Sequence, residues 1–145
     1  LSITPGANPN QKIISFTPDP IKYSAWNVST NADVNVAAFG IDVDSTPQPL
    51  RWAKNTFHQT VRIDGTFRLN NNIIGTPVCI YLTAIIPAQT GTRSGPAVAC
   101  FDSTGNCVGS IALGGIGANR NVLFTANNNY VIGSVVFCNA IFNLD

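Results

Sequence analysis

The chain has 145 residues, 45% apolar and 10% charged, with eight Lys or Arg, seven Asp and no Glu, for a net charge of +1. That length and apolar fraction fit one globular domain and exclude intrinsic disorder. The near-zero net charge excludes the long-range field that draws a protein to nucleic acid or an anionic surface, and no apolar run approaches the roughly 18 residues of a membrane span. Ordinary soluble domains carry about 25% charged residues; here seventeen Asn and thirteen Thr stand in their place.

Residues 1–20 contain Pro5, Pro9, Pro18 and Pro20, which forbid helix and favour extended chain. They read as an extended N-terminal arm whose apolar patch, Ile13, Ile14 and Phe16, could lie along the edge of its own sheet or of a neighbour's. The edge of its own sheet is the expectation. Starting at Leu1 without a charged and apolar leader, the sequence reads as a processed or trimmed chain. Asn27-Val28-Ser29 is a glycosylation sequon, which makes Asn27 the acceptor candidate.

Between Val34 and Asp44 the apolar positions switch from even to odd, which predicts a strand with a β-bulge near Ala38. Asp42 and Asp44, two apart on that strand, share a face and form a candidate Ca²⁺ pair with Ser45 or Thr46 as further oxygen donors. After the break at Ser45–Pro49, apolar residues at 50, 53 and 57 predict at most two helical turns. Trp52, Arg51, Asn55 and His58 there combine an aromatic face with polar hands and make the candidate ligand cluster.

Val61, Ile63, Phe67 and Leu69 keep one parity through Gly65, so either a continuous strand or a three-residue loop at 64–66 preserves their common face. Pro77 to Ile86 and Tyr130 to Phe142 are apolar at odd and even positions alike, which predicts central strands covered on both faces. Ala97–Phe101, Val108–Leu113 and Val122–Ala126 read as shorter strands. Phe67 to Ile73 and Phe124 to Tyr130 echo each other around an Asn triplet, each predicted to mark a strand running into a turn.

Four cysteines remain. Cys100 and Cys107 flank a turn-rich loop, and Cys79 and Cys138 lie in the two most apolar runs, so disulfides 100–107 and 79–138 are the candidates, the second requiring adjacent strands. No Cys-x-x-Cys or nucleophile elbow occurs, Gly114–Gly117 lacks the Lys-Ser/Thr of a phosphate loop, and no cofactor is called for.

Residues 21–145 are thus expected to form one all-β domain, a two-sheet antiparallel β-sandwich of jelly-roll type with about eight strands. Low charge, cysteines and sequon favour an extracellular or virion/cell-surface setting. A neutral surface costs little to desolvate when copies pack together, which points to a self-assembling structural subunit of a filament or coat whose partners are copies of itself. The alternative is a receptor- or glycan-binding head, typically trimeric. An enzyme is the least favoured reading, and neither nucleic-acid binding nor membrane insertion is expected.

Overall fold

The computed structural model describes residues 2–6, 10, 12–15, 23–55, 60–71, 73–83, 96–114 and 121–143. Near the N-terminus β1 (Ser2–Pro5) and β2 (Lys12–Ser15) pair antiparallel, with Ile3 opposite Ile14 and Thr4 opposite Ile13. They form a two-stranded sheet of their own, so the arm is a hairpin and not an edge strand of the domain. Phe16 lies outside the described residues.

The rest is one antiparallel sheet of nine strands. β3 (Asn27–Val28), a single helical turn α1 (Val36–Phe39) and β4 (Ile41–Asp42) come first. The predicted bulge at Ala38 is in fact α1, closed by Gly40 in the left-handed conformation at φ 66° with its N–H on the Val36 carbonyl. A parity switch requires only that residues be inserted between the two alternating stretches, and here a whole turn is inserted.

β5 (Arg51–Asn55) and β6 (Thr60–Leu69) follow, paired with Trp52 opposite Ile63. The helical turns expected from Leu50 are therefore a strand. The three-residue spacing misleads because one of the buried positions is a polar residue, Asn55, 1% exposed. β6 runs unbroken through Gly65, burying Val61, Ile63, Phe67 and Leu69 on one face as the parity requires.

β7 (Val78–Cys79), β8 (Val98–Phe101), β9 (Cys107–Gly114), β10 (Asn121–Ala126) and β11 (Val135–Asn143) complete the sheet in the order β3-β5-β6-β11-β8-β9-β10-β7, with β4 also on β6. β11 is central as predicted, but only one of its faces is covered. β7 is not central: it has two residues and ends the order.

The sheet is strongly curled. β6 and β10 stand four places apart in the order, yet the Phe67 and Phe124 rings meet edge to face with centroids 5.0 Å apart. These are the first residues of the two Asn-triplet echoes, and each triplet does follow a strand end. The result is an all-β half-barrel, with Ile41, Leu50, Ile63, Phe67, Ile111, Leu113 and Phe124 essentially solvent-free inside it. Residues 33–42 span its open side: Asn35 N–H bonds the Ile80 carbonyl, Leu82 N–H bonds that of Asp33, and β4 then pairs with the far end of β6.

Where backbone ladders stop, Asn side chains continue them. The Asn35 amide donates to the carbonyls of Cys79 and Tyr81, and Asn121 Oδ1 accepts the Tyr81 and Val122 N–H groups while its Nδ2 donates to the Tyr81 carbonyl. Tyr130 pins the end of β6: its hydroxyl accepts the Leu69 N–H at 2.9 Å and lies within donating reach of the Leu69 and Ser134 carbonyls.

Candidate functional site

Strands β7 to β11 contain no Asp, Glu, Lys or Arg, whereas β5 and β6 carry Arg51, Lys54, Arg62, Asp64 and Arg68. The sheet is therefore divided into a charged and a neutral half. Because paired residues of neighbouring strands share a face, the registers define what the neutral half shows outside: Phe137 opposite Phe101, Phe101 opposite Cys107, Ala99 opposite Ser110, and Leu123 opposite both Ala112 and Cys79.

Three large apolar side chains stand exposed there, Phe101 at 44%, Phe137 at 41% and Ile141 at 59%. Beside them are two open hollows that share Ala99. One, of about 270 Å³, is lined by Asp64, Gly65, Thr66, Phe101 and Phe137 among others, and the other, of about 610 Å³, by Ala97, Gly109, Ser110 and Thr125. Aromatic ridges alternate with hollows floored by small residues. The apolar odd positions of β11, which the sequence pattern assigns to a covered face, are this uncovered surface.

On the charged half, Arg51 bonds Asp64 through Nε and Nη2, at 3.1 and 2.9 Å, and lies 4.1 Å from the Trp26 ring centre. Arg62 lies over both Tyr23 and Trp26. Residues 23–26 so cap the outside of β5 and β6, with their ring faces against the Arg51 and Arg62 guanidinium groups.

The predicted ligand cluster is split by the strand that carries it. Arg51 faces outward to Asp64, while its neighbour Trp52, opposite core residue Ile63, faces the other way. Asn55 is buried and His58 lies outside the described residues. Trp52 instead lines a hollow of about 480 Å³ with Asn27, Ser29, Asp33, Tyr81 and Thr83, between β3 and the segment after β7. Lys54 Nζ sits 5.2 Å from the Trp52 ring centre, and burial holds its ammonium pKa below the usual value. Burial pushes the Tyr81 phenol up, so it stays protonated, and its oxygen accepts the Ser29 hydroxyl at 3.0 Å.

Asn27 is exposed, its amide within 3.3 Å of the Trp52 carbonyl, but the sequon's Ser29 is buried. Asp42 and Asp44 do come together, around Asn31. Asp42 Oδ1 accepts the Asn31 amide and the Asp44 and Ser45 N–H groups, Oδ2 accepts the Ser45 hydroxyl, and Asp44 accepts the Asn31 N–H. Hydrogen-bond donors, led by the Ser45 hydroxyl, hold the Asp42 pKa below the carboxylate range. The carboxylate organises a turn. Among the described residues no group of three or more His, Cys, Asp or Glu could hold a metal.

No disulfide is formed in this structure, and the strands turn the two members of each expected pair to opposite faces. A bulge in the β8–β9 register sets Phe101, not Cys100, opposite Cys107, so Cys100 is in the core and Cys107 outside. Cys79 pairs with Leu123 on the outer face, whereas Cys138 is buried. The two sulfurs brought together are those of Cys100 and Cys138, a pairing the sequence spacing did not signal.

Comparison with family models, with curated proteins and with solved structures finds no match for this chain.

Proposed function

We propose that the chain is a structural subunit that assembles with copies of itself, in an extracellular filament or a coat particle, by packing the neutral outer face of β7 to β11 on another copy. The observation that carries this is the exposure of Phe101, Phe137 and Ile141 on strands without a single charged residue. An apolar ridge on strands with no charge gains free energy from a neutral, shape-matched partner, and the same face on a second copy is such a partner. The nearest charges, Arg62, Asp64 and Arg68, stand at the border of this face on β6, opposite Ile141, Asn139 and Val135. The sheet margins contribute little, because β3 and β7 offer two residues each. An isolated two-stranded hairpin is marginal in water, so the β1–β2 arm gains by docking on a neighbouring copy.

Light scattering and negative-stain microscopy on the full chain test this. Wild type is expected to form filaments or closed particles, and Phe137→Asp, a change at an exposed position, to give monomers with unchanged circular dichroism. A wild-type chain that stays monomeric at high concentration refutes the reading.

The Trp52 hollow favours a second reading, a glycan-binding head, because it joins an indole to the amide of Asn27 and the hydroxyls of Ser29 and Thr83. Glycan-array binding that is lost in Trp52→Ala supports it. No signal from the wild type removes it.

A further inference from the structure

Cys100 on β8 and Cys138 on β11 have their sulfurs 3.3 Å apart inside the half-barrel, with exposures of 0% and 4%. The β8–β11 register, in which Phe101 faces Phe137, sets them directly opposite each other. Opposed residues on adjacent antiparallel strands have the Cα spacing that a disulfide requires. We propose that Cys100 and Cys138 are joined by a disulfide in the working protein, stapling β8 to β11, while Cys79 and Cys107 remain thiols on the outer face.

The position of the staple matters. β11 pairs with β6 along its whole length, from Val135 opposite Arg68 to Asn143 opposite Thr60, but meets β8 through the single pair Phe137 and Phe101. That ladder is the shortest in the sheet, and it joins the half of the fold ending in β6 to the half built from β8, β9 and β10. The two cysteines are 38 positions apart, so the bond closes a loop that holds both hairpins of that second half. Such a loop is long enough for cross-linking to restrict the unfolded chain substantially.

Bond formation is a thiol–disulfide exchange with a low-molecular-weight disulfide, RSSR. One cysteine thiolate attacks RSSR and releases RS⁻, and the second displaces the remaining RS group. The two protein thiols give up two protons and two electrons, and RSSR is reduced to two RSH. Burial pushes the Cys138 thiol well above its ordinary range, so it is protonated and unreactive in the closed core. The exchange therefore belongs to folding, before β8 and β11 close. Cys79 and Cys107 cannot substitute, since their strands direct them to the opposite face of the sheet.

The full chain, folded in a buffer of glutathione and glutathione disulfide, is denatured with iodoacetamide and without reductant. Two alkyl groups, on Cys79 and Cys107, are expected, and proteolysis is expected to release one linked pair of peptides containing Cys100 and Cys138. Four alkylated cysteines, or a link between any other pair, overturns the proposal. A Cys79→Ser, Cys107→Ser chain, altered only outside the core, excludes scrambling. Its Tm is expected to lie roughly 10 °C lower when it is folded with reductant than with oxidant, and equal Tm values overturn the staple.

Discussion

Replacing Gly65 with alanine tests how closely residues 48–50 are packed beside β6. Gly65 lies in the middle of β6 at φ 121°, and a Cβ added to it meets the Pro49 carbonyl oxygen at 2.7 Å and Leu50 Cα at 2.9 Å. Both are backbone atoms, because residues 48–50 run beside β6 here, with Pro49 bridged to Thr66 and Thr66 N–H on the Gln48 carbonyl. Forcing an L-residue into a glycine-only conformation costs about 1–3 kcal/mol, and overpacking against an unyielding neighbour adds about 1–3 kcal/mol. The sum centres on about 4 kcal/mol, a large share of the roughly 5–15 kcal/mol that holds a domain together. For a chain of this size that is a fall in Tm of about 10 °C. Gly105 provides the internal control: its φ is 86°, but a Cβ added there has nothing within 4 Å, so Gly105→Ala bears only the conformational cost. Urea titrations followed by tryptophan fluorescence measure both. The reasoning is refuted if Gly65→Ala and Gly105→Ala differ by less than about 1 kcal/mol.

Three other outcomes are expected. Tyr130→Phe removes the hydroxyl that satisfies the Leu69 N–H, and a buried unsatisfied donor should lower stability by about 1–3 kcal/mol with an unchanged urea m-value; a smaller loss would mean that water replaces the hydroxyl. Because the Asp42 pKa is depressed in the fold, its stabilisation is present above the unfolded carboxyl value near 3.8 and is lost as pH falls through the lower folded value. Tm measured from pH 5 downward should accordingly fall more steeply in wild type than in Asp42→Asn, and parallel profiles would dismiss that carboxylate as a contributor. Deleting residues 1–20 should leave the Tm of the domain unchanged, since β1 and β2 form a sheet of their own, but should shorten or abolish the assemblies seen by microscopy. Assemblies of native size from the truncated chain would remove the arm from the account.

The strands legible in the sequence are those with one wet and one dry face bounded by turn residues: β6, β8, β9 and β10. There the pleat imposes a period of two and nothing competes with it. β5 is hidden because Asn55 occupies a buried position and Trp52 and Arg51 diverge, so no alternation of hydrophobicity records the strand. β7 is shorter than its apolar run suggests, because the side-chain amides of Asn35 and Asn121 take over from the ladder after two residues. The cysteine partners are out of reach of sequence reasoning because pairing depends on register and on which face each strand turns inward, and β11 inserts between β6 and β8 from the far end of the chain. β11 itself does carry apolar residues on both faces. One of those faces is exposed in this structure, with Phe137 and Ile141 on it.

The amide groups that finish the ladders have a consequence for the conditions in which this fold can exist. A carboxylate–ammonium closure is strong only where its ions are charged and unscreened, whereas an amide offers a donor and an acceptor that neither titrate nor gather counterions. Asn31, Asn35, Asn121 and Asn127 each tie a strand or turn to a neighbouring segment in this way, and Arg51 with Asp64 is the one ion pair among the described residues. The closures that these amides make therefore do not depend on the charge state of a side chain or on the ionic strength around it.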